Sequence, residues 1–158
     1  MTDADEPPIL VAALRERMTD LAATDADGAF PYLVTADRVR WMRERLDAAA
    51  PDRHSALAVT LPFAMDDVRR DAARAYLKPY LRTPTYHASW ELQGFTSADW
   101  EQPGSDRLVD AMVVTGSAAD ARARIEELHA AGADHVAVIP IGLDGTTEHL
   151  RALEAIGA

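Results

Sequence analysis

Four times along the chain a short apolar run passes almost directly into a charged segment with helical spacing. The first run, "ILVAAL" at 9–14, is apolar at every position, as suits a strand covered on both faces. In the segment that follows, Met18, Leu21 and Ala22 recur at i, i+3 and i+4 and predict one apolar helix face. The second join, "DGAFPYLVTADRVRWMRERL", opens on an Asp27-Gly28 turn. It predicts a strand over 29–34 with Pro31 near its end, then a helix capped by Thr35 that turns Val39, Met42 and Leu46 inward. The third predicts a strand over 56–61 ended by Pro62, and a helix starting at Asp66 or Asp67. That helix faces Val68, Ala72, Ala75 and Tyr76 inward and stops at Pro79. In the last join, Ser117 and Asp120 have the spacing of a capping box, Ala121, Ile125 and Leu128 form the inner face, and Gly132 follows the helix end. "HVAVIP" is the fourth strand, and a final helix from Thr146 or Thr147 places Leu150, Leu153 and Ile156 inward.

Residues 79–107 interrupt this rhythm with three of the nine prolines, two of the three tryptophans and two of the four tyrosines. They read as an insertion of short helices and turns, after which Ser105 or Asp106 caps a short helix over "RLVDAMVV". Strands alternating with helices predict an α/β fold with a parallel sheet and right-handed crossovers. The pattern leaves open whether four such strands make a small open sheet or part of a closed barrel. The expected organisation is a flexible lead over 1–8, which includes Pro7 and Pro8, and a single domain over 9–158.

Composition narrows the partners. A net charge of -10 argues against nucleic acid and anionic membrane. No cysteine is present, which excludes a disulfide framework, a thiolate nucleophile and cysteine metal sites. No apolar run approaches the ~18 residues of a membrane span, and the acidic "MTDADEPP" start is unlike a signal peptide. The expected location is the cytoplasm.

Nucleotide-loop, nucleophile-elbow and zincin motifs are all absent, and the five histidines show no metal-ligand spacing, so no metal is expected. The remaining signal is positional, because chemistry in parallel α/β folds sits beyond the C-terminal ends of the strands. There the helix after Leu14 starts at once, and its free N–H groups, with Arg15 and Arg17, could hold a phosphate; an ordinary turn with surface arginines is the other reading. Glu16 in that first turn would repel a phosphate. Tyr80, Tyr86, Trp90 and Phe95 of the insertion either roof a substrate pocket or pack an irregular excursion onto the core.

Taken together, "PPILVAALRERMTDLAA", "DGAFPYLVTADRVRWMRERL", "YLRTPTYHASWELQGF" and "GSDRLVDAMVVTGSAADARARIEELHAAGADHVAVIPI" resemble, in order, the luciferase-like monooxygenases, and within them the actinobacterial coenzyme F420-dependent oxidoreductases. The resemblance implies the C-terminal half, strands five to eight, of a TIM-type (β/α)8 barrel, with an insertion before the last strand and Met1 in the loop before strand five. It implies coenzyme F420, or alternatively FMN, held at the rim by Ala13, Leu14, Arg15 and Arg17, with Phe30 and Tyr32 lining the pocket. The family usually carries Gly or Pro where this chain reads Leu14-Arg15-Glu16-Arg17. Its acid/base groups come from the other half, so no catalytic residue is assigned. The expected activity is hydride transfer between the cofactor and an unknown small organic substrate. The expected partners are that substrate and either an N-terminal half-barrel or further copies of the chain. The alternatives are a non-catalytic half-barrel that binds or assembles, and a truncated, inactive fragment.

Overall fold

A computed structural model describes residues 7–65, 69–142 and 146–157. The elements run β1 (Leu10–Val11), α1 (Glu16–Thr24), β2 (Gly28–Ala29), α2 (Ala36–Ala49), β3 (Ala56–Met65), α3 (Arg69–Leu77), a 3-10 turn (Tyr80–Arg82), α4 (Pro84–Glu91), α5 (Ser97–Trp100), α6 (Asp106–Met112), β4 (Val114–Gly116), α7 (Ala118–Ala130), β5 (His135–Pro140) and α8 (Thr146–Gly157). Most of the expected lead, the helix start at Asp66 or Asp67, and Val68 lie outside the described residues. No helix among the described residues is long and apolar enough to cross a membrane.

Every strand pairing is parallel. β3 is the spine: it takes β2 at Ala56 and Leu57, β5 along Ala58–Phe63, and β4 at Phe63–Met65. Eight of its ten residues are buried, as a strand covered on both faces requires. Pro62 does not end β3, contrary to the sequence expectation, and the ladder geometry gives the reason. Successive residues of a parallel strand bond to opposite neighbours. Leu57 O accepts from Asp134 N and Phe63 O from Ile141 N, so the odd positions bond toward β5. The missing N–H of Pro62 therefore falls on the other side, in the gap after β2 ends and before β4 begins.

Other boundaries also differ from expectation. β1 and β2 are two residues each, because Pro31 and a left-handed Leu33 (φ 55°) turn the chain out of the sheet. β4 replaces the end of the expected helix over "RLVDAMVV", which stops at Met112. α2 and α7 bury the predicted faces, Val39, Met42 and Leu46, and Ala121 and Leu128. α1 instead buries Thr19, Ala22 and Ala23 and exposes Met18 and Leu21. α3 buries Ala73 and Leu77 rather than Ala75, and α8 buries Ala152 while Leu150 and Leu153 face outward. In each of these three helices the alanines take the tight contact, since small side chains let a helix approach the sheet closely.

Two apolar cores result. One joins β3 to α1, α2, α7 and α8 through Val39, Met42, Leu46, Leu57, Val59, Phe63 and Leu128. The other gathers the insertion around Trp90. The insertion also grips the β2–α2 loop: the Trp90 indole N–H donates to Leu33 O (3.2 Å), and Gln93 Oε1 accepts from Thr35 N (2.8 Å). These bonds hold Leu33 in a backbone region that costs a non-glycine residue about 1–3 kcal/mol.

Candidate functional site

The C-terminal ends of the strands and the N-termini of the helices that follow share one face. On it, α1 begins without a side-chain cap, at an extended Arg15. Arg15 O accepts from Met18 N and Thr19 N (3.1 and 3.0 Å), which leaves the N–H groups of Glu16 and Arg17 without a backbone acceptor among the described residues. The Arg15 and Arg17 side chains are exposed and make no ion pair among the described residues. Glu16, expected to repel an anion, is held by Arg45 at 2.7 Å. The Arg45 guanidinium also holds Asp20 at 2.6 and 2.8 Å, and this bond keeps the Asp20 carboxyl below its ordinary range. The turn itself is packed: Ala13 is fully buried and Leu14 half-buried.

Phe30, just past β2, is 37% exposed. Tyr32 joins a chain of tyrosines: Tyr32–Tyr80 centroids are 5.6 Å apart, Tyr76–Tyr80 5.9 Å and Tyr80–Tyr86 5.0 Å. One cluster thus unites the expected cofactor residue Tyr32 with the expected pocket residues Tyr80 and Tyr86. It adds Tyr76, read from sequence only as part of a helix face. Burial, with its neighbours Tyr80 and Tyr86, pushes the Tyr76 phenol up to about 12, and burial likewise raises Tyr86. Trp90 is fully buried and belongs to the core. It therefore lines no open pocket in this structure, because its ring is sealed by the packing that grips Leu33. Phe95 is 5% exposed and lies beneath the Arg107 guanidinium, 4.3 Å from its ring centroid.

The histidines stand apart from this face or serve packing. His54 bonds Asp134, His129 bonds Ala133 O, and His87 stacks on Trp100 with centroids 4.8 Å apart. No group of three His, Asp or Glu side chains suited to a metal ion occurs among the described residues.

A groove of about 740 Å³ lies between the start of α1, the first turns of α2 and the insertion, and is lined by Glu16, Arg38, Trp41, Gln93 and Arg107 among others. Phe95, expected from the sequence as a pocket residue, also lines it, whereas Arg38, Trp41, Gln93 and Arg107 were not foreseen there. Position 38 is one turn ahead of the buried Met42, and a charge at that point of an inner face was the available signal.

A family profile described as luciferase-like monooxygenase matches residues 2–135. No curated protein matches the chain. Among solved structures, an F420-dependent secondary alcohol dehydrogenase in complex with an F420-acetone adduct aligns with a TM-score of 0.62 at 12% identity, over 86% of this chain and 44% of that one. The coenzyme F420 dependent tetrahydromethanopterin reductase from Methanopyrus kandleri aligns at 0.61 and 17% identity, over 95% of this chain and 49% of that one. A long-chain alkane monooxygenase, LadA, aligns at 0.55 and 14% identity, over 95% and 40%. At these identities the likeness shows the fold: parallel strands in an open sheet, like luciferase-like TIM-barrel proteins over about half their length. The chain spans about half the length of the structures it matches.

Proposed function

This chain belongs to the luciferase-like monooxygenase family, and from that premise we propose that it is the cofactor-holding part of an F420- or FMN-dependent oxidoreductase. In this reading β1, β2, β3 and β5 stand for strands five to eight of a (β/α)8 barrel, and β4 is an accessory strand of the insertion. The observation that carries it is the uncapped start of α1 on the C-terminal face, where Arg15 and Arg17 make no ion pair among the described residues and Glu16 is ion-paired with Arg45. Free N–H groups and the helix dipole there suit a phosphate, so the residues present fit the phosphate end of either cofactor. The bound cofactor would supply hydride chemistry toward a small organic substrate.

The chain's own residues bind, shape and exclude. The amides of Glu16 and Arg17 hold the phosphate, and the two arginines add charge. Phe30 and Tyr32 wall the rim. The tyrosine cluster closes the side of the pocket against water, and its raised phenols stay protonated across the neutral range. The other half of the site would come from a complementary half-barrel or from another copy of the chain.

The test is a fluorescence titration with F420 and with FMN, on the chain alone and with an N-terminal half-barrel supplied in trans. Saturable quenching that weakens about tenfold or more in Arg15→Glu/Arg17→Glu supports the reading, since charge-assisted contacts contribute ~1.5–3 kcal/mol each. Absence of binding in both arrangements overturns it.

A further inference from the structure

We propose that the groove between the start of α1, the first turns of α2 and the insertion is a binding site for a carboxylate- or phosphate-bearing small molecule, anchored by the Arg38 guanidinium. The groove borders the rim, since Glu16 lines it and Arg38 Nη2 bonds Leu14 O, but its anchor is Arg38 of α2 rather than the α1 amides, with or without a flavin or deazaflavin at the rim.

Arg38 is only 6% exposed, and a buried cation is costly unless paired and hydrogen-bonded. The other arginines of the groove have carboxylates: Arg45 holds Glu16 and Asp20, and Arg107 holds Asp99. Asp37, the acid next to Arg38 in sequence, is taken by Arg40 at 2.6 Å. Arg38 has no carboxylate among the described residues. Its Nη2 donates to Leu14 O at 2.7 Å, its guanidinium carbon sits 3.7 Å from the centroid of a Trp41 ring, and its Nε is buried with no acceptor. A single carbonyl and an aromatic face leave the guanidinium fork unfilled, and that fork matches the paired oxygens of a carboxylate or phosphate. Desolvation also depresses the Arg38 pKa, as expected for a cation without an anion beside it.

The surroundings suit a ligand rather than an ion alone. A volume of about 740 Å³ falls in the ~300–1,000 Å³ range of small-molecule sites. The indole of Trp41 adds a flat apolar wall, and the start of the 14-residue α2 contributes its positive dipole end. Glu16 and Asp37 also line the groove, but Glu16 bonds Arg45, which it shares with Asp20, and Asp37 bonds Arg40, so neither pairs with Arg38.

The experiment uses the full chain labelled with 15N-arginine, titrated with inorganic phosphate and separately with succinate at constant ionic strength balanced with sodium chloride. The Arg38 Nε–H resonance is assigned by its loss in Arg38→Lys. The expected result is a saturable shift of that resonance with at least one probe. Affinity measured by calorimetry should fall about tenfold or more in Arg38→Met, which keeps an unbranched side chain without the guanidinium. Tighter phosphate binding would mark a phosphate ester as the ligand class, and tighter succinate binding a carboxylate. Should Arg38→Met fail to fold, Arg38→Lys takes its place, with a smaller but definite loss of affinity because the fork is gone. An Arg38 signal that moves no further than with sodium chloride alone overturns the proposal, as does unchanged affinity in the variants.

Discussion

At the scale of single residues, close approach and burial decide the consequences. A Cβ on Gly28 would stand 2.0 Å from the Ala56 carbonyl oxygen, so β2 can lie against β3 only with glycine there. Gly28→Ala should cost at least the ~1–3 kcal/mol typical of overpacking, read as a lower midpoint in urea unfolding. Tyr76 gives a pH signature. Its folded-state pKa, about 12, lies above the ordinary tyrosine value of about 10. The stability this contributes is complete below pH 10 and is lost as the pH rises through about 12. Melting temperature should therefore fall over that window, with a shallower fall in Tyr76→Phe; identical profiles would show that the phenol does not drive the change. Gly28 was legible in the sequence as a turn. Its contact with β3 was not, because Ala56 lies far along the chain.

At the scale of elements, two capping boxes anchor short helices in different ways. Ser117 and Asp120 begin α7 with bonds of 2.7, 2.8 and 3.3 Å, as their spacing predicted. They are exposed or nearly so, and Ser117→Ala should cost about 1 kcal/mol by thermal melting. Thr96 and Asp99 begin α5 in the same way, yet Asp99 also accepts from the Ser105 hydroxyl at 2.7 Å and from Arg107 at 3.0 Å. Its burial acts to raise the carboxyl pKa, but the bonds from Thr96 and Ser105 and the charge of Arg107 prevail and hold it below the ordinary range. That stability is present above the ordinary aspartate pKa and disappears as pH falls through the lowered value. Asp99→Ala should destabilise by ~2–3 kcal/mol at neutral pH through the donors it strands, and the difference from wild type should shrink in acid. An equal difference at both pH values would exclude the linkage. The spacing of Ser117 and Asp120 suffices to read the first box, whereas the extra load on Asp99 depends on where α6 folds back.

At the scale of the whole molecule, three strands have a single paired neighbour among the described residues: β1 pairs only with β2, and β4 and β5 only with β3. β5 is apolar along "HVAVIP", yet none of its residues is fully buried, in contrast to β3. A parallel strand of this composition is normally covered on both faces, and open edges promote pairing. In solution the chain alone should therefore run by light scattering as an assembly larger than its 17.2 kDa mass. A monodisperse monomer with a cooperative melt would show that the edges need no cover. The open edge also explains what the pattern left undecided, since an all-apolar run looks the same in an open sheet and in a closed barrel.

The sequence by itself determined what local chemistry can specify: the alternation of strands and helices, the caps at Thr35 and Ser117, the inner faces of α2 and α7, and the turn at Gly132. Each follows from spacing within a few residues. Tertiary structure decided whatever depends on residues distant along the chain. Pro62 stays inside β3 because β2 and β4 leave a gap opposite it. α1 and α8 turn alanines inward because the sheet lies close. Four tyrosines from separate segments meet at the rim, and Arg38 is buried beside Trp41 and Leu14 without a carboxylate among the described residues. Local periodicity fixes which elements form; the packing of one element on another fixes which side chains are left with unfilled bonds.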